Sequence, residues 1–432
     1  MFHGRSSVGC AFCACIFCIA LLPSMAGATD FQTAVKLTLN ESPEIEAARK
    51  DVQIAESQFK VVVAEYLPQL SGLLRTGSIT EDYSDSSDTY EETIASLHLS
   101  QEIVDVSKYY SIKKAESEVD VAKAELENRK QTVLLAAAKI WGAYWRTLRQ
   151  LEVNDENVSI LASFVEGTEL RYEAGELTLA DVQLAKTRYE AALSQRNRFL
   201  RNIAAARDNY RQIMLAPAPP DIALPDIDIN SYSLPDDEQA VSDHPSIRPL
   251  KNQLEASKMD VKRQRAGHLP TMGLESSVSH QTSGEYASAR YPYNESTIGL
   301  VVEIPIFSGG SVYYSTDRAQ SAQGSLLARI RDLHDRLVRD LNTARTNYSV
   351  NMDEMETARL QVEYAERTLE WMQEEFKLGT RTSMDVFLAQ SAMIDARLQL
   401  TVVQEEGFTF IMDYLYALGI LPVTVEDAVN TN

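Results

Sequence analysis

Gly175-Glu176-Leu177-Thr178-Leu179-Ala180-Asp181-Val182 and Gly379-Thr380-Arg381-Thr382-Ser383-Met384-Asp385-Val386 follow one pattern at an offset of 204 residues. In each, a glycine ends an incoming helix. A threonine, Thr178 or Thr382, is placed to cap the next one. An aspartate, Asp181 or Asp385, then lies in the first turn, where the positive end of the helix dipole favours an acid. Nearly the same offset recurs on either side. Ser42-Pro43-Glu44-Ile45 answers to His244-Pro245-Ser246-Ile247, and Tyr66-Leu67-Pro68 to His268-Leu269-Pro270, both at 202. Ser96-Leu97-His98-Leu99 answers to Thr297-Ile298-Gly299-Leu300 at 201, and Tyr210 to Tyr414 at 204. Landmarks held in register over this length make the chain an internal duplication.

The reading divides the chain into a signal peptide (1–28), repeat 1 (29–215, strands about 69–104), a Pro-rich linker (216–235), repeat 2 (236–421, strands about 271–306) and a short C-terminal tail (422–432). Each repeat runs helix, two strands, a very long helix, a glycine break and a last helix of about 36 residues. No proline occurs between Pro68 and Pro217 or between Pro305 and Pro422. Lys108–Tyr172 can therefore run as one helix of about 100 Å at about 1.5 Å per residue. Val386, Ala389, Met393, Ala396, Leu400 and Val403 step by 3 and 4, a heptad seam whose alanines admit close helix approach.

The strands carry period two. Ile298, Leu300, Val302, Ile304 and Ile306 alternate with Gly299, Val301, Glu303 and Pro305. Leu97, Leu99 and Ile103 alternate with His98, Ser100 and Glu102, and Met272, Leu274 and Val278 continue the pattern. One apolar face per strand is the pattern of a membrane barrel. Glu81–Glu92 reads as an acidic loop with Tyr83 and Tyr90, matched in repeat 2 by Tyr286, Tyr291 and Tyr293. These tyrosines suit either a bilayer interface or solvent-exposed loops. Four strands cannot close a barrel, and an open edge is not tolerated in lipid, so strands that span require an oligomer. A trimer would supply twelve.

The chain has 41 basic and 62 acidic residues, a formal charge of −21, which excludes nucleic-acid binding through its overall field. Residues 8–22 form an apolar run that Pro23 breaks, and Ala26-Gly27-Ala28 fits a cleavage site. All four cysteines lie in the first 18 residues, so no thiol chemistry is available beyond them. The six histidines show no metal-ligand spacing, and no phosphate loop, dinucleotide fingerprint or nucleophile elbow occurs. No enzyme activity, cofactor or metal is expected.

The signal peptide, the duplication, Tyr66-Leu67-Pro68, Val302-Glu303-Ile304-Pro305-Ile306-Phe307-Ser308-Gly309-Gly310 and the two Gly-to-Asp-Val turns together resemble the TolC-type outer membrane efflux protein family. The resemblance implies a mostly α fold with a transmembrane β-barrel portion. Duplicated long α-helical hairpins would form a periplasmic α-barrel, and four strands per chain would join a shared 12-stranded barrel in a homotrimer. It also implies a periplasmic adaptor (membrane fusion) protein and an inner-membrane pump of RND or ABC type as partners, alongside outer membrane lipid. By resemblance, Asp385 lines a closed aperture, Leu388 stands where a second acidic ring would be, and Asp181 and Arg381 are charged members of a lock between hairpins. A tyrosine of that lock falls on Phe376 and a hydroxyl partner on Ala180, leaving open whether the lock is polar or apolar. Three carboxylates round a narrow axis repel, coupling their titration and raising some of their pKa values. The expected function is a passive exit duct for drugs, small toxic compounds or polypeptides in a tripartite efflux or type I secretion system. The alternative is an exported periplasmic coiled-coil scaffold or adaptor, with the strands in a small soluble domain.

Overall fold

Asp105 starts the first long helix by accepting a hydrogen bond from the Lys108 amide at 3.0 Å, and nothing in the following sequence stops it for 68 residues. The computed structural model describes residues 31–227, 229, 234–283 and 292–421. The elements are α1 (Phe31–Glu41), α2 (Pro43–Ala64), β1 (Gln69–Tyr83), β2 (Ser86–Val104), α3 (Val106–Glu173), α4 (Leu179–Met214), α5 (Asp237–Ser242), α6 (Arg248–Ala266), β3 (Thr271–Ser283), β4 (Tyr293–Glu303), α7 (Ser311–Lys377) and α8 (Ser383–Ala417). At about 1.5 Å per residue, α3 and α7 each extend about 100 Å. α3 and α4 form one hairpin and α7 and α8 the other. α3 also packs on α2, α6 and α8, so it joins the two halves. The proposed signal peptide and the C-terminal tail lie outside the described residues.

The strands form one antiparallel sheet in the order β1-β2-β3-β4. Its register puts Leu70 opposite Leu99, Gly72 opposite Leu97, Leu97 opposite Val278, and Leu274 opposite Leu300. Because side chains alternate faces, all these residues share one side of the sheet, as do Leu74, Met272, Ile298 and Val302. Ile298 is 77% exposed and Leu74 75%. The opposite face carries Arg75, Glu92, His98, Glu275, Glu295 and Glu303, with Leu73, Ile79, Tyr90, Ile94 and Val301 as apolar or aromatic members. Among the described residues, β1 and β4 each leave one edge unpaired.

Two sequence expectations are corrected here. Glu81–Glu92 is a hairpin rather than a loop, with Tyr83 paired to Ser86 at its tip. The physical reason is cross-strand pairing of β-branched threonines in and beside the acidic run: Thr76 bonds Thr93 and Thr80 bonds Thr89, each at 3.0 Å. Tyr90 is accordingly buried against the sheet and donates to Glu81 at 3.0 Å, so the loop reading does not describe it. The last strand ends at Glu303 rather than 306, since Pro305 has no amide to give the ladder. Tyr286 and Tyr291 lie outside the described residues.

The core sits midway along the helices. Trp141, Tyr144, Tyr210, Met214, Phe408, Met412 and Phe31 form one buried cluster. The Pro-rich linker docks on it: the Trp141 indole donates to the Ala223 carbonyl at 2.9 Å and the Tyr144 hydroxyl to Pro219 at 2.6 Å. A second cluster, around Leu337, Leu341, Tyr414 and Leu418, faces the start of repeat 2. Among the described residues, α8 is the one helix long and apolar enough to cross a membrane, but half of its apolar stretch is buried against neighbouring helices. Its apolarity serves the core. At Gly407 of α8 the neighbouring helix comes very close: a Cβ there would stand 2.6 Å from Asn351 Oδ1, and Asn351 is held by its bond to the Val403 carbonyl. Gly407→Ala is expected to destabilise the α7–α8 contact by about 1–3 kcal/mol, read as a lower midpoint in thermal unfolding followed by circular dichroism.

Candidate functional site

Both helical turns are built from backbone bonds first. The Gly175 amide donates to the Tyr172 carbonyl (2.9 Å) and the Glu176 amide to Arg171 (2.8 Å). In the second turn Gly379 donates to Phe376 (3.1 Å) and Thr380 to Glu375 (3.0 Å). This pair of bonds closes the helix only if the residue after the cap is left-handed, and both glycines have φ 76°. The next helix is then capped reciprocally. Asp181 Oδ2 accepts from the Thr178 amide (3.1 Å) while Thr178 Oγ1 accepts from the Asp181 amide (3.3 Å). Asp385 and Thr382 repeat this at 2.9 and 3.3 Å. Leu388, one turn beyond Asp385, is 59% exposed, and Ala180 is exposed.

The turns are joined to each other by a single short bond, from Ser383 Oγ to Asp181 Oδ1 at 2.7 Å. That bond, followed by those from Thr178, holds the Asp181 carboxyl below the usual range. Asp385 is lowered too, first by the Thr382 amide and hydroxyl and further by the Arg381 charge. Within the chain, the capping box therefore opposes the upward shift expected of an acid ring.

Within the chain, Arg381 pairs close to its own turn. Its Nε bonds Glu375 Oε2 at 2.6 Å, on its own hairpin, and that pairing raises its pKa. Within the chain, the charged partner expected for Asp181 is replaced by the Ser383 hydroxyl. The reason is local: Glu375 is six residues back, across the turn that Gly379 makes. Phe376 is buried, its ring 5.7 Å from Phe164, with the Arg171 guanidinium 4.7 Å above it. Phe164 in turn meets Phe387 at 4.8 Å. Apolar and cation–π packing occupies the place where a hydroxyl was in question. Sequence reasoning missed Ser383, Arg171 and Phe164. Ser383 lies two residues before Asp385 in the quoted motif, and its hydroxyl was the available signal.

The apolar outer face of the sheet, the duplicated hairpins and the paired turns match one family along most of the chain. The profile described as "Outer membrane efflux protein" fits residues 34–214 and 238–406. The chain belongs to the outer membrane efflux protein family. It is 24% identical over 394 residues to outer membrane efflux protein BepC of Brucella suis, covering 88% of this chain and 82% of BepC. It is 23% identical over 401 residues to outer membrane protein TolC of Salmonella enteritidis, with 88% and 80% covered. In fold it is similar to the outer membrane protein VceC of Vibrio cholerae, with a TM-score of 0.78 at 17% identity over 90% of this chain and 96% of VceC. An outer membrane efflux protein works at the outer membrane, which accounts for the exposed apolar sheet face and removes the alternative of a soluble periplasmic scaffold.

The lowered aspartates give a pH expectation. A carboxyl with a depressed folded pKa adds stability above its unfolded value, near 3.9, and loses it as pH falls through the folded value. The contribution of these two carboxyls to the thermal midpoint should therefore be flat from about pH 7 to 5 and fall below about pH 4. Asp181→Asn combined with Asp385→Asn should flatten that acid limb, as measured by unfolding midpoints across pH.

Proposed function

We propose that three copies of this chain close one twelve-stranded barrel in the outer membrane and continue below it as one helical conduit. The observation that carries this is the four-stranded sheet with an exposed apolar face and unpaired β1 and β4 edges. Those edges need backbone partners in hydrocarbon, and β4 of one copy against β1 of the next supplies them. The conduit catalyses nothing. It passes drugs, small toxic compounds or polypeptides delivered by an inner-membrane pump through a periplasmic adaptor.

The turns at Gly175 and Gly379 form the inner mouth. Asp385 and Leu388 line it, one of each per copy. An acid at a narrow axis favours cations, and Leu388 adds apolar bulk beside it. Opening moves the second hairpin away from the first, breaking the Ser383–Asp181 bond, and a partner drives it by binding the open form better.

Purified protein in a planar bilayer tests the reading. A small cation-selective resting current is expected, growing and losing cation preference in Asp385→Ala. Chemical cross-linking should stop at three chains. A protein that is released from cells by osmotic shock and never inserts would sink the proposal.

A further inference from the structure

The outward face of the sheet changes character part-way up the strands. Its lower part is apolar: Met272 stands opposite Val302, Leu274 opposite Leu300, and Leu97 opposite Val278. The change comes at one row of the register, in which Leu74 pairs with Ala95, Ala95 with His280 and His280 with Asn294. His280 Nδ1 bonds Asn294 Oδ1 at 2.6 Å. From that row to the β1–β2 tip, the same face holds Thr76, Ser78, Thr80 and Asp82 on β1, facing Thr93, Glu91 and Thr89 on β2. Asp82 and Glu91 are exposed. An ionised carboxylate on that face is strongly disfavoured in hydrocarbon.

The lower limit of the apolar zone is marked separately. Tyr109-Tyr110 and Tyr313-Tyr314 occupy equivalent places, 204 residues apart, at the start of α3 and of α7. Each pair packs edge to face at 5.3 Å. Tyr109, Tyr313 and Tyr314 are exposed, and so is Phe307 just before α7. Aromatic rings gather where hydrocarbon meets water. The hydrocarbon band of an outer-membrane barrel is about 25 Å tall, and a strand tilted by about 40° climbs about 2.6 Å per residue. About ten residues of strand therefore cross it. Counted from Val104, the lower end of β2, they reach Ile94 and Ala95. Strand length and side-chain polarity thus place the upper limit at the same row. What remains of the hairpin, 75–83 on β1 and 86–94 on β2, rises about 20 Å further.

Resting on the barrel reading above, we propose that lipid covers the sheet only from the level of the tyrosine pairs to the row of Leu74 and Ala95, and that the β1–β2 hairpin above it is a two-stranded prong standing in water on the outer side of the membrane. Each copy contributes one prong beside the exit of the duct. The prong is ordered without lipid around it. Thr76–Thr93 and Thr80–Thr89 tie its strands on the outward face, and Tyr90 bonds Glu81 on the other at 3.0 Å. His280 and Asn294 stand at the headgroup level, where polar groups meet water. Asp82, Asp85 and Glu91 are cell-surface groups.

Single cysteines test this, since the chain has none after Cys18. Leu70→Cys, Leu97→Cys, Ser78→Cys and Glu91→Cys are each given a nitroxide, purified as the oligomer and placed in phosphatidylcholine vesicles. Collisions with oxygen, which concentrates in lipid, and with a water-soluble nickel chelate are read by electron paramagnetic resonance. Oxygen should dominate severalfold at Leu70 and Leu97, and the nickel chelate severalfold at Ser78 and Glu91. Ser78→Cys changes a single atom, so it keeps the comparison valid if a larger replacement disturbs the sheet. Oxygen as dominant at Ser78 and Glu91 as at Leu97 would mean that lipid reaches the tip, which overturns the prong and leaves the barrel standing. Nickel dominant at Leu70 and Leu97 as well would mean that the sheet faces water, and the barrel reading falls with the prong. On intact cells, a maleimide too large to cross the outer membrane should label Ser78→Cys and leave Tyr109→Cys unlabelled. The reverse pattern would put the tip on the periplasmic side and overturn the proposal.

Discussion

A β-strand edge exposes amide and carbonyl groups that hydrocarbon cannot satisfy, and this single constraint organises the molecule. The sheet of four strands offers lipid an apolar face but, among the described residues, ends in two unpaired edges. It is a segment of a barrel, complete only with neighbours. Everything beneath follows the same spacing. Each strand pair leads directly into a long helix, so two strands above correspond to one hairpin below, and the duplication supplies the second pair.

Much of this was legible in the chain because it rests on local rules. The turns are local: Gly175 and Gly379 must be left-handed, and the Thr–Asp capping boxes close within four residues. The long helices follow from absent prolines, and the sheet faces from alternation through Leu97, Leu99, Ile298 and Leu300. What failed was also physical. The acids of 81–92 suggested a solvated loop, whereas Thr76, Thr80, Thr89 and Thr93, in and beside that run, pair across the strands and carry the hairpin on. The Arg381–Glu375 pair was missed, because it depends on how the turn folds back. The Ser383–Asp181 bond joins residues 202 apart, and no local pattern reports such a contact.

The two repeats share a backbone plan but have diverged in how they are buttressed. Tyr210 and Tyr414 are equivalent, and both are buried. Tyr210 packs beside Trp141 and Tyr144, under a linker that Trp141 and Tyr144 hold through carbonyls of Ala223 and Pro219. Tyr414 stacks on Tyr348 and bonds Arg345, which also pairs with Asp237 at the start of repeat 2. The first half is closed by aromatic packing and the second by an ion pair, so substitutions at matching positions are not equivalent.

The reciprocal caps at the two turns have a bearing on the order of assembly. Each hairpin closes through contacts between residues near in sequence, and such contacts form early and fast. The sheet pairs β2 with β3 across nearly two hundred residues, and among the described residues its outer edges have no partner. The turns can thus close on local contacts alone, whereas the full apolar face of the sheet is complete only once the distant β2–β3 pairing joins its two hairpins.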